Sequence, residues 1–227
     1  MSDDSASPPP VRRSRPGRPE GRGNHREAVL DAAERTFAER GFAGASYREI
    51  AAEAAVTQAM ITYYFGSKPD LFREVYLRRG RQLAGERMAL LEALQAREAP
   101  FSVEDVVRAY LVPPFGLVTS TGGRAFLRLQ ARLHAEPDEM AFGLRREVYD
   151  APVRAFVTVL AGLLPHLPAD VLYRRFAQII GIYLYILSDA HRISEISAGA
   201  AAMPATETMI AEIVAFTAAG LRAQSAA

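Results

Sequence analysis

The chain has 227 residues, enough for one or two domains with a sizeable buried core, and its 49% apolar and 23% charged residues are the balance of an ordinary globular protein. It has no cysteine, which excludes disulfides, thiolate metal sites and cysteine nucleophiles. The net charge is only +1, yet residues 11 to 81 carry 14 Arg and Lys against 9 Asp and Glu, whereas residues 82 to 227 carry 13 against 15. That asymmetry points to an anionic partner for the front third, most simply nucleic acid. No apolar run is long enough for a membrane span or a secretory leader, so a cytoplasmic location with no membrane partner is expected.

Residues 1 to 24 are rich in Pro, Gly and Arg and poor in large apolar side chains, and are expected to form a disordered arm. Within it Gly17-Arg18-Pro19, flanked by Arg15 and Arg22, resembles an AT-hook core. Arg18 could enter a narrow A/T minor groove; a solvated basic tail is the other reading, and both stay open. From His25 the pattern turns helical, with Val29, Leu30, Ala33 and Phe37 at three- and four-residue spacing, Asp31, Glu34 and Arg35 between them, and Gly41 as the stop.

Ser46 to Glu49 reads as a capping box that opens a short helix, and Thr57 caps a second over TQAMITYYF until Gly66. Two short helices so spaced have the dimensions of a helix-turn-helix, with Ile50, Ala51, Ala54, Val56, Ile61 and Phe65 on the inner face. Gln58, Ala59, Thr62 and Tyr63 then point outward. Such residues suit base edges in a major groove, Gln pairing with adenine and Ala or a Thr methyl packing on thymine. The helix starts at Thr57 and Ser67 offer N–H groups to phosphates, with Lys68, the only lysine, and Tyr64 close by in sequence. Pro69 falls in the first turn of a long helix that ends before Ala99-Pro100. Further helices are expected over about 103 to 117, 123 to 135, 139 to 164 with a break or kink at Pro152, 169 to 192, and 204 to 222. The fold class is all-α: an N-terminal three-helix head and a C-terminal helical body.

Residues 25 to 72, through AERGFAGASYREIAAEAAVTQAMITYYFGSKPDLF, resemble the DNA-binding domain of the TetR family of transcriptional regulators. The resemblance implies a homodimer that binds a double-stranded DNA operator through residues 25–72, and a body over 73–222 that dimerises and takes a small-molecule effector, followed by a tail over 223–227. It places Arg48, Thr57, Gln58, Thr62, Tyr63, Tyr64 and Lys68 at the family's DNA contacts. The chain departs from the family in having Ala55 where the turn usually carries Gly, and in Thr62 and Tyr64. The stretch from Leu163 to Ser197 resembles the PsrA-like subgroup, which implies a fatty acid or acyl thioester as effector.

The helix at 169–192 is apolar around more than half its circumference and must bury two faces. Its small-residue edge, Ala177, Ile180, Gly181 and Leu184, is assigned to the dimer with Met209, Ile213 and Phe216 of the last helix. Phe115, Phe126, Leu129, Tyr149, Phe156 and Tyr183 are candidates for an apolar effector cavity, with Arg128 or Arg132 for an anionic group, though each apolar residue also has the character of plain core. No catalytic motif occurs, and the pairs His191/Glu195 and His134/Asp138 are too few ligands for a metal site. The expected protein is a ligand-responsive regulator, most simply a repressor, without catalysis, metal or cofactor. The rival is an architectural A/T-binding protein without an effector.

Overall fold

The computed structural model describes residues 21–135, 139–189 and 191–224. Every regular element among them is helical. Of the arm expected over 1–24, residues 1–20, with Arg18, lie outside the described residues, and the last four belong to the first helix.

Helix α1 (Gly21–Gly44) starts before the apolar periodicity does, since a nucleated helix extends at one hydrogen bond per added residue. Gly41 breaks it with φ 71°, a left-handed value that costs glycine nothing. Helices α2 (Tyr47–Glu53) and α3 (Gln58–Phe65) follow, and then α4 (Lys68–Gln95), whose 28 residues reach about 42 Å at 1.5 Å per residue. Ser46 and Ser67 form capping boxes with Glu49 and Asp70, Thr57 caps α3 by accepting from the Met60 N–H, and Pro69 sits at the start of α4. The body continues with α5 (Val103–Gly116), a 3-10 turn over Leu117–Thr119, α6 (Thr121–Ala135), α7 (Glu139–Leu163), α8 (Ala169–Ser188), α9 (Arg192–Ile196) and α10 (Thr206–Arg222). Two expectations change here. Helix α7 runs on through Pro152, and α8 stops at Ser188, with the five-residue α9 following as a separate helix.

The apolar side chains form two cores. One joins the head to the near half of the body: Val29, Ala33 and Phe37 of α1 and Ile50, Ile61 and Phe65 of α2 and α3 pack with Leu71, Phe72 and Val75 of α4, Phe126 and Leu129 of α6, and Val148 and Tyr149 of α7. The other fills the far half between the end of α4, α5, α7, α8 and α10, around Tyr110, Phe156, Phe176 and Tyr183. Helix α1 is therefore wrapped on several sides. Glu34, which the sequence pattern puts among solvated residues, is buried and ion-paired with Arg78 and Arg79 of α4. Burial raises its carboxyl pKa, and the two arginines act against that rise. A Cβ at Gly122, in the first turn of α6, would lie 2.8 Å from Arg79 Nη2, so a larger residue there would make the end of that arginine shift.

Helix α5 carries Pro113 and Pro114 inside it. A proline has no N–H, so the carbonyls four residues earlier, of Ala109 and Tyr110, lose their helical partners. Arg87 Nε of α4 donates to the Tyr110 carbonyl at 3.0 Å.

Candidate nucleic-acid interface

The turn between α2 and α3 is a Schellman motif. The Val56 N–H bonds the Ala51 carbonyl at 3.0 Å and the Ala55 N–H bonds the Ala52 carbonyl at 3.3 Å, closing the end of α2. Ala55 takes the left-handed position with φ 53°, where glycine is the usual occupant. The conformation survives the substitution, because the two bonds and the half-buried Val56 hold it. The same arrangement recurs after α9, where Ala198 has φ 49°.

This turn sets α3 across α2 so that Ile61 and Phe65 face inward, both buried. Gln58, Ala59, Thr62 and Tyr63 lie on the opposite side, exposed together, and Tyr63 is 76% exposed despite its size. Its ring meets that of Tyr64 edge to face, with centroids 5.3 Å apart. Tyr64 is half-buried against the core shared with the body, so the aromatic pair divides its work between packing and the open face. Arg48 is exposed on α2. Tyr47 ties the unit together by donating its hydroxyl to the Gly66 carbonyl at 3.2 Å. Arg35 and Arg40 of α1 hold Glu53 and Glu49 of α2.

The two helix starts differ in what they offer an anion. At α3 the Thr57 cap uses the Met60 N–H, so those of Gln58 and Ala59 are not taken by the cap. At α4 the Ser67 and Asp70 N–H groups are both engaged in the capping box, Pro69 has none, and the Asp70 carboxylate stands at the terminus. Of the two starts expected to receive phosphate, the geometry therefore favours the one at Thr57. Lys68 is half-buried, its Nζ donating to the Ala43 carbonyl at 3.2 Å and lying 4.9 Å from the Phe42 ring centroid. It thus fixes the last turn of α1, beyond the break at Gly41, while keeping two further ammonium donors.

In the body, the seven residues assigned to a dimer divide. Ala177, Gly181 and Phe216 are exposed, Phe216 at 73%, and Ile180 is half-buried. Leu184, Met209 and Ile213 are buried in the chain's own far core, because α10 turns them toward α5 and α8 toward α6 and α10. The six apolar cavity candidates are all buried, but they are split between the two cores: Phe126, Leu129 and Tyr149 in one, Phe115, Phe156 and Tyr183 in the other. Phe115 also lines a pocket of about 220 Å³ with Ile186, Leu187, Met203 and Met209. Arg132 does not face a cavity; it is exposed, and its Nη2 donates to the Glu39 carbonyl at 3.0 Å, bracing α6 against α1. Arg128 is likewise exposed. His134 pairs through Nδ1 with the Gln130 carbonyl, and among the described residues no group of three potential metal ligands occurs.

The cation that does lie inside the body is Arg87, which the sequence reading passed over. It falls four residues after Leu83 and four before Leu91, on the apolar stripe of α4, and that misplaced charge is the signal that could have found it.

A capped two-helix reading unit, held on a helical body by a shared core, defines a helix-turn-helix DNA-binding protein. Comparison with known families gives the same class. A model described as bacterial regulatory proteins, tetR family, matches residues 29–75, and one described as tetracyclin repressor-like, C-terminal domain, matches residues 108–220. The chain belongs to the TetR family and is a DNA-binding transcriptional regulator. It is 28% identical over 166 residues to the HTH-type transcriptional regulator AcrR of Shigella flexneri, a match spanning 70% of this chain and 74% of that protein. Its fold resembles that of HlyIIR, a hemolysin II transcriptional regulator, with TM-score 0.62 and 22% identity over 86% of this chain and 98% of that one. It also resembles the fatty acid degradation regulator FadR from Bacillus halodurans, with TM-score 0.60 and 15% identity over 87% and 100% of the two chains. Among the described residues no helix is long and apolar enough to cross a membrane.

Proposed function

We propose that the protein is a repressor that binds a near-palindromic operator as a homodimer and is released by a small lipophilic effector, with residues 25–72 reading DNA and 73–222 pairing the subunits and taking the ligand. The observation that carries the DNA reading is the exposed row Gln58, Ala59, Thr62 and Tyr63 on a helix whose other side is fully committed to the core. A side chain held on so rigid a base can discriminate base edges, and two copies at fixed separation read two half-sites. Apolar side chains exposed on α8 and α10, Tyr173, Tyr185 and Phe216, support pairing through those helices.

Release needs a mechanical path from body to head. Helix α4 runs from the head into the body and is one such path, and α6, which lies along α1 and is braced to it by Arg132, is a second. An effector that displaces α6 therefore turns the head. Moving the population from 1:99 to 99:1 needs about 5.5 kcal/mol of differential affinity.

The test is selection of binding sites from random duplex DNA with the full-length protein. Recovery of an inverted repeat supports the reading. Recovery of A/T-rich DNA without symmetry, lost on deleting residues 1–22, supports the architectural rival instead.

A further inference from the structure

Arg87 is 0% exposed. Its Nε is matched by the Tyr110 carbonyl that Pro114 leaves free, and its guanidinium carbon lies 3.7 Å from the Tyr110 ring centroid and 5.1 Å from that of Tyr183. Both terminal nitrogens, Nη1 and Nη2, are buried without a hydrogen-bond partner, and among the described residues no carboxylate pairs with them. The hydroxyls of Tyr76 and Tyr149 are likewise buried and unmatched. The Tyr183 hydroxyl accepts from Gln130 Nε2 at 3.2 Å and keeps its own proton to donate. Tyr76 and Tyr149 belong to the core shared with the head, Tyr110 and Tyr183 to the far core, so this cluster lies where the two cores adjoin.

Folded chains match nearly all their buried polar groups, and a lone buried cation is the costliest exception. The Tyr110 and Tyr183 rings attract the guanidinium, but that attraction is weaker than the hydration it has lost. A guanidinium does not escape by losing its proton. No phenol supplies the missing charge either. Burial pushes the phenols of Tyr76, Tyr110 and Tyr149 up, and the Arg87 charge, which acts the other way, does not reverse that rise. They therefore stay protonated, as donors. Gln130 Oε1, the one unmatched carbonyl oxygen of the cluster, is neutral, and water would be neutral too. What the cluster calls for is one negative charge set among N–H and O–H donors.

Size narrows the choice. Tyr76 packs on Phe126 and Tyr149, and Tyr110 on Phe156 and Phe176, with ring centroids 4.7 to 6.3 Å apart, so the cluster is walled by close-packed rings on both sides. Such walls suit a compact ion the size of one water, about 30 Å³, and not a molecule with a chain. One guanidinium balances one charge, which favours a monoanion over sulfate or a phosphate dianion. We propose that Arg87, with the hydroxyls of Tyr76, Tyr149 and Tyr183, holds a buried small monoanion of the halide class, a resident counter-ion that joins the two cores of the subunit. Such an ion belongs to the folded subunit and is distinct from the effector, so its test stands whether or not an effector or a duplex binds.

The experiment is thermal unfolding of the full-length protein at one protein concentration and constant ionic strength, with potassium chloride exchanged stepwise for potassium gluconate, whose anion carries a six-carbon chain. An ion that binds only the folded state raises Tm with its concentration, here by about 3 to 5 °C for each tenfold rise in chloride once the site is filling. Arg87→Met should abolish that dependence. Tyr149→Phe, which removes a hydroxyl without a partner, should keep the fold and shift the dependence about threefold toward higher chloride, and it carries the test if Arg87→Met does not fold. Arg174→Ala, which alters an exposed arginine paired with Asp170, should leave the dependence as in wild type. Crystals grown in bromide should show an anomalous peak within hydrogen-bond reach of Nη1 and Nη2. A wild-type Tm indifferent to chloride, a dependence that survives in folded Arg87→Met or is unshifted in Tyr149→Phe, or bromide found at exposed arginines alone, an adventitious ion only, overturns the proposal.

Discussion

Replacing Ala55 by Gly tests whether the recognition turn holds a strained residue. A non-glycine residue in the left-handed region costs about 1 to 2 kcal/mol, and glycine gives back roughly 0.5 to 1 kcal/mol in lost chain entropy. Ala55 is exposed, so its methyl group surrenders little packing, and the two Schellman bonds are made by backbone atoms that the substitution leaves in place. The net expectation is a gain of about 0.5 to 1 kcal/mol, or a rise in Tm of about 1 to 4 °C for a chain of this size. Thermal and urea unfolding at one fixed protein concentration read it, since an oligomer's midpoint depends on concentration. Ala198→Gly, in the matching position after α9 with φ 49°, should shift stability in the same direction. Ala55→Val should lower it, because a branched side chain tolerates this backbone less well than alanine. A lower midpoint for Ala55→Gly with unchanged helix content would refute the reasoning.

Gln58→Ala should cost about 1 to 3 kcal/mol at one base position of the selected operator and little on random DNA, which fluorescence anisotropy against single-base variants measures. Lys68→Ala should weaken all duplexes alike and flatten the salt dependence by about one unit of slope, read from binding across a salt series. Phe216→Glu puts a charge on the exposed apolar stretch of α10 and should shift sedimentation toward the monomer while leaving the circular dichroism of the subunit unchanged. Arg222 grips Glu104 across α5 and α10 and holds its carboxyl down at about 2. That contribution is complete above the ordinary carboxylate pKa near 4.5 and lost as pH falls toward 2. The stability difference between wild type and Glu104→Gln, followed by urea unfolding, should therefore shrink over that interval.

Much of the head was legible because its signals are local. The capping boxes at Ser46 and Ser67, the Thr57 cap and the glycine breaks at Gly41 and Gly66 depend on residues a few positions apart, and the outward row on α3 follows from 3.6-residue periodicity once its ends are set. The body was legible only as a succession of helices. Periodicity identifies an apolar side chain as inward but not which neighbour it meets, so Leu184, Met209 and Ile213 looked as available to a partner subunit as to their own core.

The sequence by itself determined the fold class and the short capped helix α3 with its outward row, since each is encoded in contiguous residues, and the family resemblance pointed to the alanine in the turn before it. Tertiary packing alone decided that Glu34 and Arg87 are buried, that α6 braces α1 and that Arg132 serves as a strut. Burial of a charge depends on which distant helices close over it, as when Pro114 frees the Tyr110 carbonyl and an arginine 23 residues upstream of that tyrosine arrives to use it.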